Sequence, residues 1–263
     1  MRIACWQAVC EPGGGRYFER LDAVAARAAA AGAELLVTPE MSMGGYPLRA
    51  GVLAEVAGPV DGTTGRAVER IARDHGLAVV YGWPETTAAG LYNAVRLVDR
   101  TGAGLARYRK THLYRPAEPQ FTPGSAGLVQ ARLGELTIGL LICYDVEFPE
   151  MVRAHAVAGT QLLIVPTALM VPWELVARIL VPARAFESQL YVAYTNWIGV
   201  HEGLRFCGLS TVAAPDGGVV RAERPGEELL IAEIDPKVIA AARATTTYLA
   251  DRRPELYGPV TRR

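Results

Sequence analysis

Leu136-Thr-Ile-Gly-Leu-Leu-Ile-Cys-Tyr-Asp-Val-Glu-Phe-Pro-Glu150 is an apolar, β-branched run that stops at a cysteine and turns acidic at once. Such a run reads as a buried strand, and Pro149 suits the first turn of a helix. The chain must therefore bury a strand up to Cys143 and start a helix just after it. A thiol at that junction, facing a helix N-terminus, stands where a nucleophile would. A buried structural cysteine satisfies the same pattern, because free cysteine is among the most buried residue types. The remainder of the chain has to supply the partners that a reactive thiol needs.

The chain has 263 residues, 51% of them hydrophobic, enough to bury a sizeable core in one large α/β domain or two small ones. Lys plus Arg and Asp plus Glu balance at 27 each. That balance argues against nucleic acid or an anionic membrane as the main partner and leaves a small molecule as the default. The four cysteines, Cys5, Cys10, Cys143 and Cys207, form no C-x-x-C pair and have no His-rich cluster beside them. Neither a disulfide framework nor a zinc site is indicated; Cys5, Cys10 and Cys207 read as inert core thiols. No stretch approaches the ~20 apolar residues of a membrane span. Met1 runs straight into a strand-like segment, so the cytoplasm is the expected location.

Periodicity predicts strands over 2–9, 34–38, 77–83, 91–98, 104–109, 128–132, 136–143, 161–165, 190–196 and 228–234. Residues 208–214 and 217–223 read as a hairpin around Pro215-Asp216. Helices are expected over 16–31, from just after Asp61-Gly-Thr-Thr64 to about 75, 149–158, 172–189 (with Pro182 as a kink or restart) and 236–243. Glu11-Pro-Gly-Gly-Gly15 and Met41 to Pro47 read as loops. Thr111 to Ser125 reads as a long irregular one, and such loops are often functional. Helices alternate with strands early and hairpins come later, which points to a layered α/β sandwich with mixed sheets. No repeat or linker divides the chain. Residues 1–243 form one domain, and 244–263 is a tail with little core signal, either disordered or an arm that packs on a partner subunit.

Three polar groups share one placement. Glu40 follows the strand Leu35-Leu36-Val37-Thr38, Lys110 follows Leu105 to Arg109, and Cys143 ends its own strand. Residues at the ends of core strands converge on one face in α/β folds, where ligands bind. The three have complementary chemistry. A thiol needs a base, a semi-buried carboxylate can trade protons, and a lysine can hold the oxygen of a tetrahedral intermediate. Each also has a bland reading. Glu40 can cap a loop or pair with an arginine. Lys110 can be the solvated end of Arg107-Tyr-Arg-Lys110. Asp145 and Glu147 can simply favour a helix N-terminus. Spacing alone leaves these alternatives open.

Thr38-Pro-Glu-Met41, Tyr108-Arg-Lys-Thr-His-Leu113 and Gly139-Leu-Leu-Ile-Cys-Tyr-Asp-Val-Glu-Phe-Pro-Glu150 resemble, in order, the three signature segments of the nitrilase superfamily, the carbon–nitrogen hydrolases. The resemblance runs from Arg2 to Pro236. It takes in Gly44, Tyr46 and Pro47, Tyr92-Asn93, Arg184 to Glu187, and Gly208-Leu-Ser210. It implies a four-layer α-β-β-α sandwich with Glu40 as general base, Lys110 as oxyanion stabiliser and Cys143 as nucleophile. Glu118 is implied to position Lys110 or the substrate, and the backbone N–H of Tyr144 to help hold the oxyanion. No cofactor is implied. Homodimers or larger homo-oligomers are, with the tail reaching a neighbour.

The residues after the cysteine separate branches. Cys143-Tyr-Asp145 differs from the Cys-Trp-Glu typical of true nitrilases and is similar to small-amide amidases. Pro166 to Trp173 and Val181 to Tyr194 look like 5-aminopentanamidases. The expected activity is hydrolysis of a small linear, ω-amino aliphatic amide to a carboxylate and ammonia through a cysteinyl thioester. N-carbamoyl or nitrile hydrolysis and acyl transfer by the same residues are alternatives, as is a catalytically silent binding or assembly protein. Tyr46, Glu147 and Trp173 are the candidate substrate contacts. Arg184 with Glu187 reads as a buried structural ion pair, and Tyr92 with Asn93 as fixing the strand near Lys110.

Overall fold

The computed structural model describes residues 1–10, 16–47 and 49–260. The expected loop at 11–15 lies outside them. The chain begins β1 (Arg2–Val9), α1 (Tyr17–Ala30), β2 (Leu35–Val37), α2 (Ala50–Val56) and α3 (Thr63–His75). It continues through β3 (Ala78–Thr87), β4 (Gly90–Val98), β5 (Gly104–Arg109), β6 (Gln130–Leu133), β7 (Leu136–Leu140), α4 (Pro149–Val157) and β8 (Leu162–Pro166). It ends with α5 (Val181–Ser188), β9 (Tyr191–Thr195), β10 (Trp197–His201), β11 (Leu204–Cys207), β12 (Thr211–Ala213), β13 (Val219–Arg221), β14 (Glu228–Glu233) and α6 (Pro236–Thr245).

Two mixed sheets result. One has eight strands in the order β11-β10-β1-β2-β3-β4-β5, with β14 also paired to β1; the other has six, β13-β12-β9-β8-β7-β6. In each, a parallel centre (β1-β2-β3 and β7-β8-β9) is flanked by antiparallel pairs. The two-residue period of a strand then builds the layers. Ile3, Cys5, Leu35, Val37, Val80, Val95 and Leu97 join Ile138, Leu140 and Leu163 in one buried cluster between the sheets. Their neighbours Ala4, Trp6, Leu36, Val79 and Tyr81 join Leu21, Val24, Val68 and Ile71 of α1 and α3 in another. On the far side, α4 and α5 cover the six-stranded sheet through Val152, Ala156, Val181 and Ala185. The expected α-β-β-α sandwich is the one observed. Each Leu, Ile or Val so buried contributes about 1.5–3 kcal/mol.

Several elements differ from expectation. The strand of the Cys143 segment stops at Leu140, and Cys143–Glu147 is a 3-10 turn. The reason is local. Asp145 Oδ2 accepts from Ile142 N–H (3.1 Å), so the backbone turns before the cysteine instead of continuing the ladder. The helix expected from residue 172 is not helical at 172–174; a π-turn at Val176–Leu180 precedes α5, and Pro182 stands in the first turn of α5, the restart expected. Helix α2 and the β10–β11 hairpin were not anticipated. Helix α6 runs through residue 243 to Thr245. Beyond it lie 3-10 turns at Pro254–Leu256 and Gly258–Val260, with Tyr248 packed edge-on to Phe186 of α5. Among the described residues no helix is long and apolar enough to cross a membrane.

Candidate active site

β2 leads into Thr38-Pro39-Glu40, and the chain then reverses through Met41 at a φ of 52°. The loop crosses directly over β3. A Cβ on Gly82 would come within 2.7 Å of the Met41 nitrogen, so only glycine admits the crossing. Glu40 is anchored by its backbone. Its N–H donates to Thr167 O (3.3 Å), and its carbonyl accepts from Trp197 Nε1 (2.8 Å). Lys110 follows β5 two residues after Tyr108 and shares its inward face. The Lys110 N–H donates to the carbonyl of Asn93 (2.8 Å).

The side chains of Glu40, Asn93, Lys110 and Glu118 meet in a fully buried cluster. Lys110 Nζ donates to Glu40 Oε1 and to Glu118 Oε2, both at 2.8 Å. Asn93 Nδ2 donates to Glu40 Oε1 and Glu118 Oε1, both at 2.6 Å. Glu118 also accepts from the Tyr114 N–H (2.7 Å). The loop predicted to be irregular thus carries a carboxylate into the core. Glu40 Oε2 alone among the carboxylate oxygens of Glu40 and Glu118 has no hydrogen-bond partner.

Burial pushes the Glu40 carboxyl up to about 7; Lys110 pulls against that shift and Glu118 adds to it. Burial by itself would lower the Lys110 ammonium, but Glu40 and Glu118 outweigh it and hold the pKa well above the ordinary lysine value. Burial drives the Cys143 thiol upward, and Glu40 reinforces the shift. The resting pair is therefore a protonated thiol beside a carboxylate poised near neutrality, which suits a base that takes a proton as attack proceeds.

Cys143 opens its turn at a φ of 47°, a left-handed geometry that a side chain rarely adopts. Such strain persists only where surroundings enforce it, and here Asp145 does so. Its buried carboxylate accepts from Tyr108 Oη, Thr111 Oγ1 and the His112 N–H (2.9 Å each), and from Ile142 N–H. His112 Nδ1 lies 2.8 Å away. The residues flanking Lys110 are thereby tied to the turn that carries Cys143. From the other side, Arg184 donates to the carbonyls of Val146 (3.2 Å) and Glu147 (2.9 Å). Its pairing with Glu187 (3.0 Å) is not the buried ion pair expected, because the Glu187 side chain is 41% exposed.

Cys143 lines a cavity of about 230 Å³ with Tyr46, Tyr144, Glu147 and Trp173, all four anticipated from sequence. Tyr114, Leu169 and Met170, which were not anticipated, complete much of the wall. Asn93 was expected only to fix its strand; instead it touches both carboxylates. Its signal was present, since it interrupts the inward face of β4 two residues before Val95. Of the other thiols, Cys5 and Cys10 are buried, while Cys207 is half-buried. Among the described residues no cluster of His, Cys, Asp and Glu has the makings of a metal site.

The sequence matches the Carbon-nitrogen hydrolase family over residues 12–244. The chain belongs to that family. A Pseudomonas protegens relative, described as "Hydrolase in pqqF 5'region", is 41% identical and spans all of this chain and 93% of its own. An (R)-stereoselective amidase from a Pseudomonas species is 38% identical over 87% of this chain and 82% of its own. Among solved structures, an active-site double mutant of the amidase from Nesterenkonia sp. AN1 in complex with acrylamide superposes with a TM-score of 0.88. It is 36% identical and covers 99% of this chain and 97% of its own. The two-sheet sandwich is thus the nitrilase-superfamily fold in sequence and in shape.

Proposed function

We propose that the protein is a thiol amidase that hydrolyses small linear amides to a carboxylate and ammonia. The observation that carries this reading is the buried Glu40–Lys110–Glu118–Asn93 cluster behind a cysteine at the wall of a small cavity. Glu40 takes the Cys143 proton as sulfur attacks the amide carbon. Lys110 and the Tyr144 N–H hold the oxyanion, and Glu40 returns its proton to the departing nitrogen as the C–N bond breaks. Ammonia leaves a thioester. Glu40 then deprotonates a water that adds to the thioester carbon, the C–S bond breaks to release the acid, and the proton on Glu40 returns to the departing Cys143 sulfur. Splitting the displacement lowers each barrier, and an oxyanion donor of this kind is worth ~10²–10³ in rate. Glu118 and Asn93 keep Lys110 and Glu40 in register.

The preferred amide carries an ω-amino group. Glu147 is the charged side chain among the described residues lining a wall otherwise aromatic and aliphatic, and none of the ion pairs among the described residues uses its carboxylate. Burial raises its pKa, with Lys110 and Arg184 opposing, so a cationic group that reaches it regains the lost solvation. Acrylamide bound to the Nesterenkonia amidase supports the smaller claim of a short acyl chain. Ammonia release should be screened over neutral amides, ω-amino amides, nitriles and N-carbamoyl amino acids. Turnover of amides with preference for the ω-amino series is expected. Turnover of nitriles alone would overturn the reading, and equal turnover of neutral and ω-amino amides would remove the role of Glu147.

A further inference from the structure

Asn196 is the one residue between β9 and β10, and the chain changes layers there: β9 belongs to the six-stranded sheet and β10 to the eight-stranded one. β8 runs parallel to β9 as far as Pro166 and Thr195, and one more rung follows, from the Thr167 N–H to Thr195 O (2.8 Å). Past that rung the segment after Thr167 loses β9 as a neighbour. The fully buried side chain of Asn196 takes its place. Its Oδ1 accepts from the Leu169 N–H (2.8 Å). Its Nδ2 donates to Leu169 O (3.1 Å) and Gly208 O (2.7 Å), with Cys207 Sγ farther off at 3.5 Å. One carboxamide thus meets both main-chain groups of Leu169, as a neighbouring strand would. It fits one way round, because turning it over would set its oxygen against two carbonyls. The Asn196 main chain is held too, its N–H donating to Ser210 Oγ (2.9 Å).

Leu169, with Ala168, Met170 and Val176, makes the aliphatic part of the cavity that Cys143 lines. We propose that Asn196 is a positioning residue for substrate choice: it holds Leu169 at a fixed depth, and Leu169 stops the acyl chain of the amide. The Leu169 carbonyl has a further donor in the Cys207 N–H (3.1 Å), whereas its N–H goes to Asn196. Without the carboxamide the segment keeps only one of its two kinds of anchor. A chain one methylene too long has to push this wall back, and a close-packed wall held at both main-chain groups resists. The next residue, Trp197, donates from Nε1 to the Glu40 carbonyl (2.8 Å). Adjacent residues of one crossing therefore serve separate ends: Trp197 fixes the loop that carries the base, and Asn196 fixes the room beside the cysteine. A change at the Asn196 side chain acts on chain length through the wall and leaves the Trp197 bond in place.

The inference rests on the proposed amidase activity, and two ratios test the two separately. The first is kcat/KM for hexanamide over that for propionamide. The second is the rate of Cys143 alkylation by N-butyl iodoacetamide over that by iodoacetamide. Each ratio is taken within one preparation, so a loss of folded protein cancels, and a merely structural role would move neither. Asn196→Ser is too short to reach Leu169; with the wall free to retreat, both ratios should rise ~10-fold, the low end of what one methylene is worth in a pocket. Asn196→Asp keeps the size and the acceptor for the Leu169 N–H but loses the donors, and it should raise both ratios as well. Leu169→Ala removes the stop itself and should raise them at least as far. Wild-type ratios in both Asn196 variants would overturn the clamp, and wild-type ratios in Leu169→Ala would overturn the stop. An alkylation ratio that rises as expected in proteins that hydrolyse no amide would sink the functional reading and leave the clamp standing.

Discussion

Asn93 Nδ2, from β4, and Lys110 Nζ, from just past the end of its antiparallel partner β5, bridge the same two carboxylates, Glu40 and Glu118. Neutral amide and ammonium thus share the task of holding two buried anions together. Removing either leaves both carboxylates under-solvated, so the four side chains act as one unit and their effects will not add.

Asn93→Ala deletes donors to both anions. Because Asn93 holds the Glu40 pKa down, the variant should show its acid limb of kcat/KM displaced to higher pH. Hydrogen bonds to charged groups are worth about 1.5–3 kcal/mol, so kcat should fall ~10–100-fold. A pH–rate profile in which the limb stays put would show that Asn93 serves only the strand.

Glu40 itself should report near neutrality. As the proposed base, Glu40 is competent only when ionised, so kcat/KM should rise through a midpoint of about 7. Glu40→Gln should abolish the rise along with the activity. The stability effect has the opposite sign. A carboxyl whose folded pKa is raised contributes stability below its unfolded value, and that contribution is lost as pH rises through about 7. Glu40→Gln should therefore be the more stable protein at pH 8, by about 2–3 kcal/mol, with the gain absent at pH 4. Denaturant melts at both pH values read this directly.

Asp145→Asn should cripple turnover without touching substrate. The carboxylate holds the turn of Cys143 to the segment after Lys110 through several donors, and removing one partner of a buried charged network costs about 3–5 kcal/mol. A drop in Tm together with a kcat loss above ~100-fold is expected. A variant with wild-type kcat would show that Lys110 and Cys143 keep their geometry without the tether.

His155 predicts acid lability away from the active site. Burial lowers its pKa to about 4, against 6.5 when unperturbed, and its Nε2 has no partner. The unfolded chain binds the proton first, so stability is full above about 6.5 and falls as pH drops through 4, by up to ~3 kcal/mol. His155→Gln cannot charge and should flatten that slope in urea titrations between pH 7 and 4. The ring, carried by α4, lies close over Gly139 of β7: a Cβ there would lie 2.4 Å from His155 Nδ1. Gly139→Ala should cost about 1–3 kcal/mol in the same assay at pH 7.

The strands that deliver Glu40 and Cys143 were legible as apolar runs with a polar group at the end. β5, with Arg107 and Arg109 in it, carries a weaker pattern. Alternation pointed only to a layered α/β sandwich, the four-layer order being what the family resemblance implied. Asp145 was not legible. Its donors come from residues 108, 111 and 112, more than 30 positions away, and adjacent sequence offered only a helix-dipole reading. Helix α2 escaped because only Val56 of its residues is buried, too little for an amphipathic pattern. The β10–β11 hairpin does carry a readable mark. Glu202 and Gly203, both at positive φ, sit between Trp197–His201 and Leu204–Cys207, which is the two-residue turn such pairs use.

The division of the centre between two sheets has a mechanical consequence. Glu40, Asn93, Lys110 and Glu118 travel with the eight-stranded layer; Cys143 travels with the six-stranded one. Catalysis is thus a gauge of sliding between slabs. A misplacement of ~1 Å can cost 10²-fold in rate, whereas secondary structure does not register it. A substitution such as Leu140→Ala, in the inter-sheet cluster, should therefore silence the enzyme at denaturant concentrations where its circular dichroism is still native.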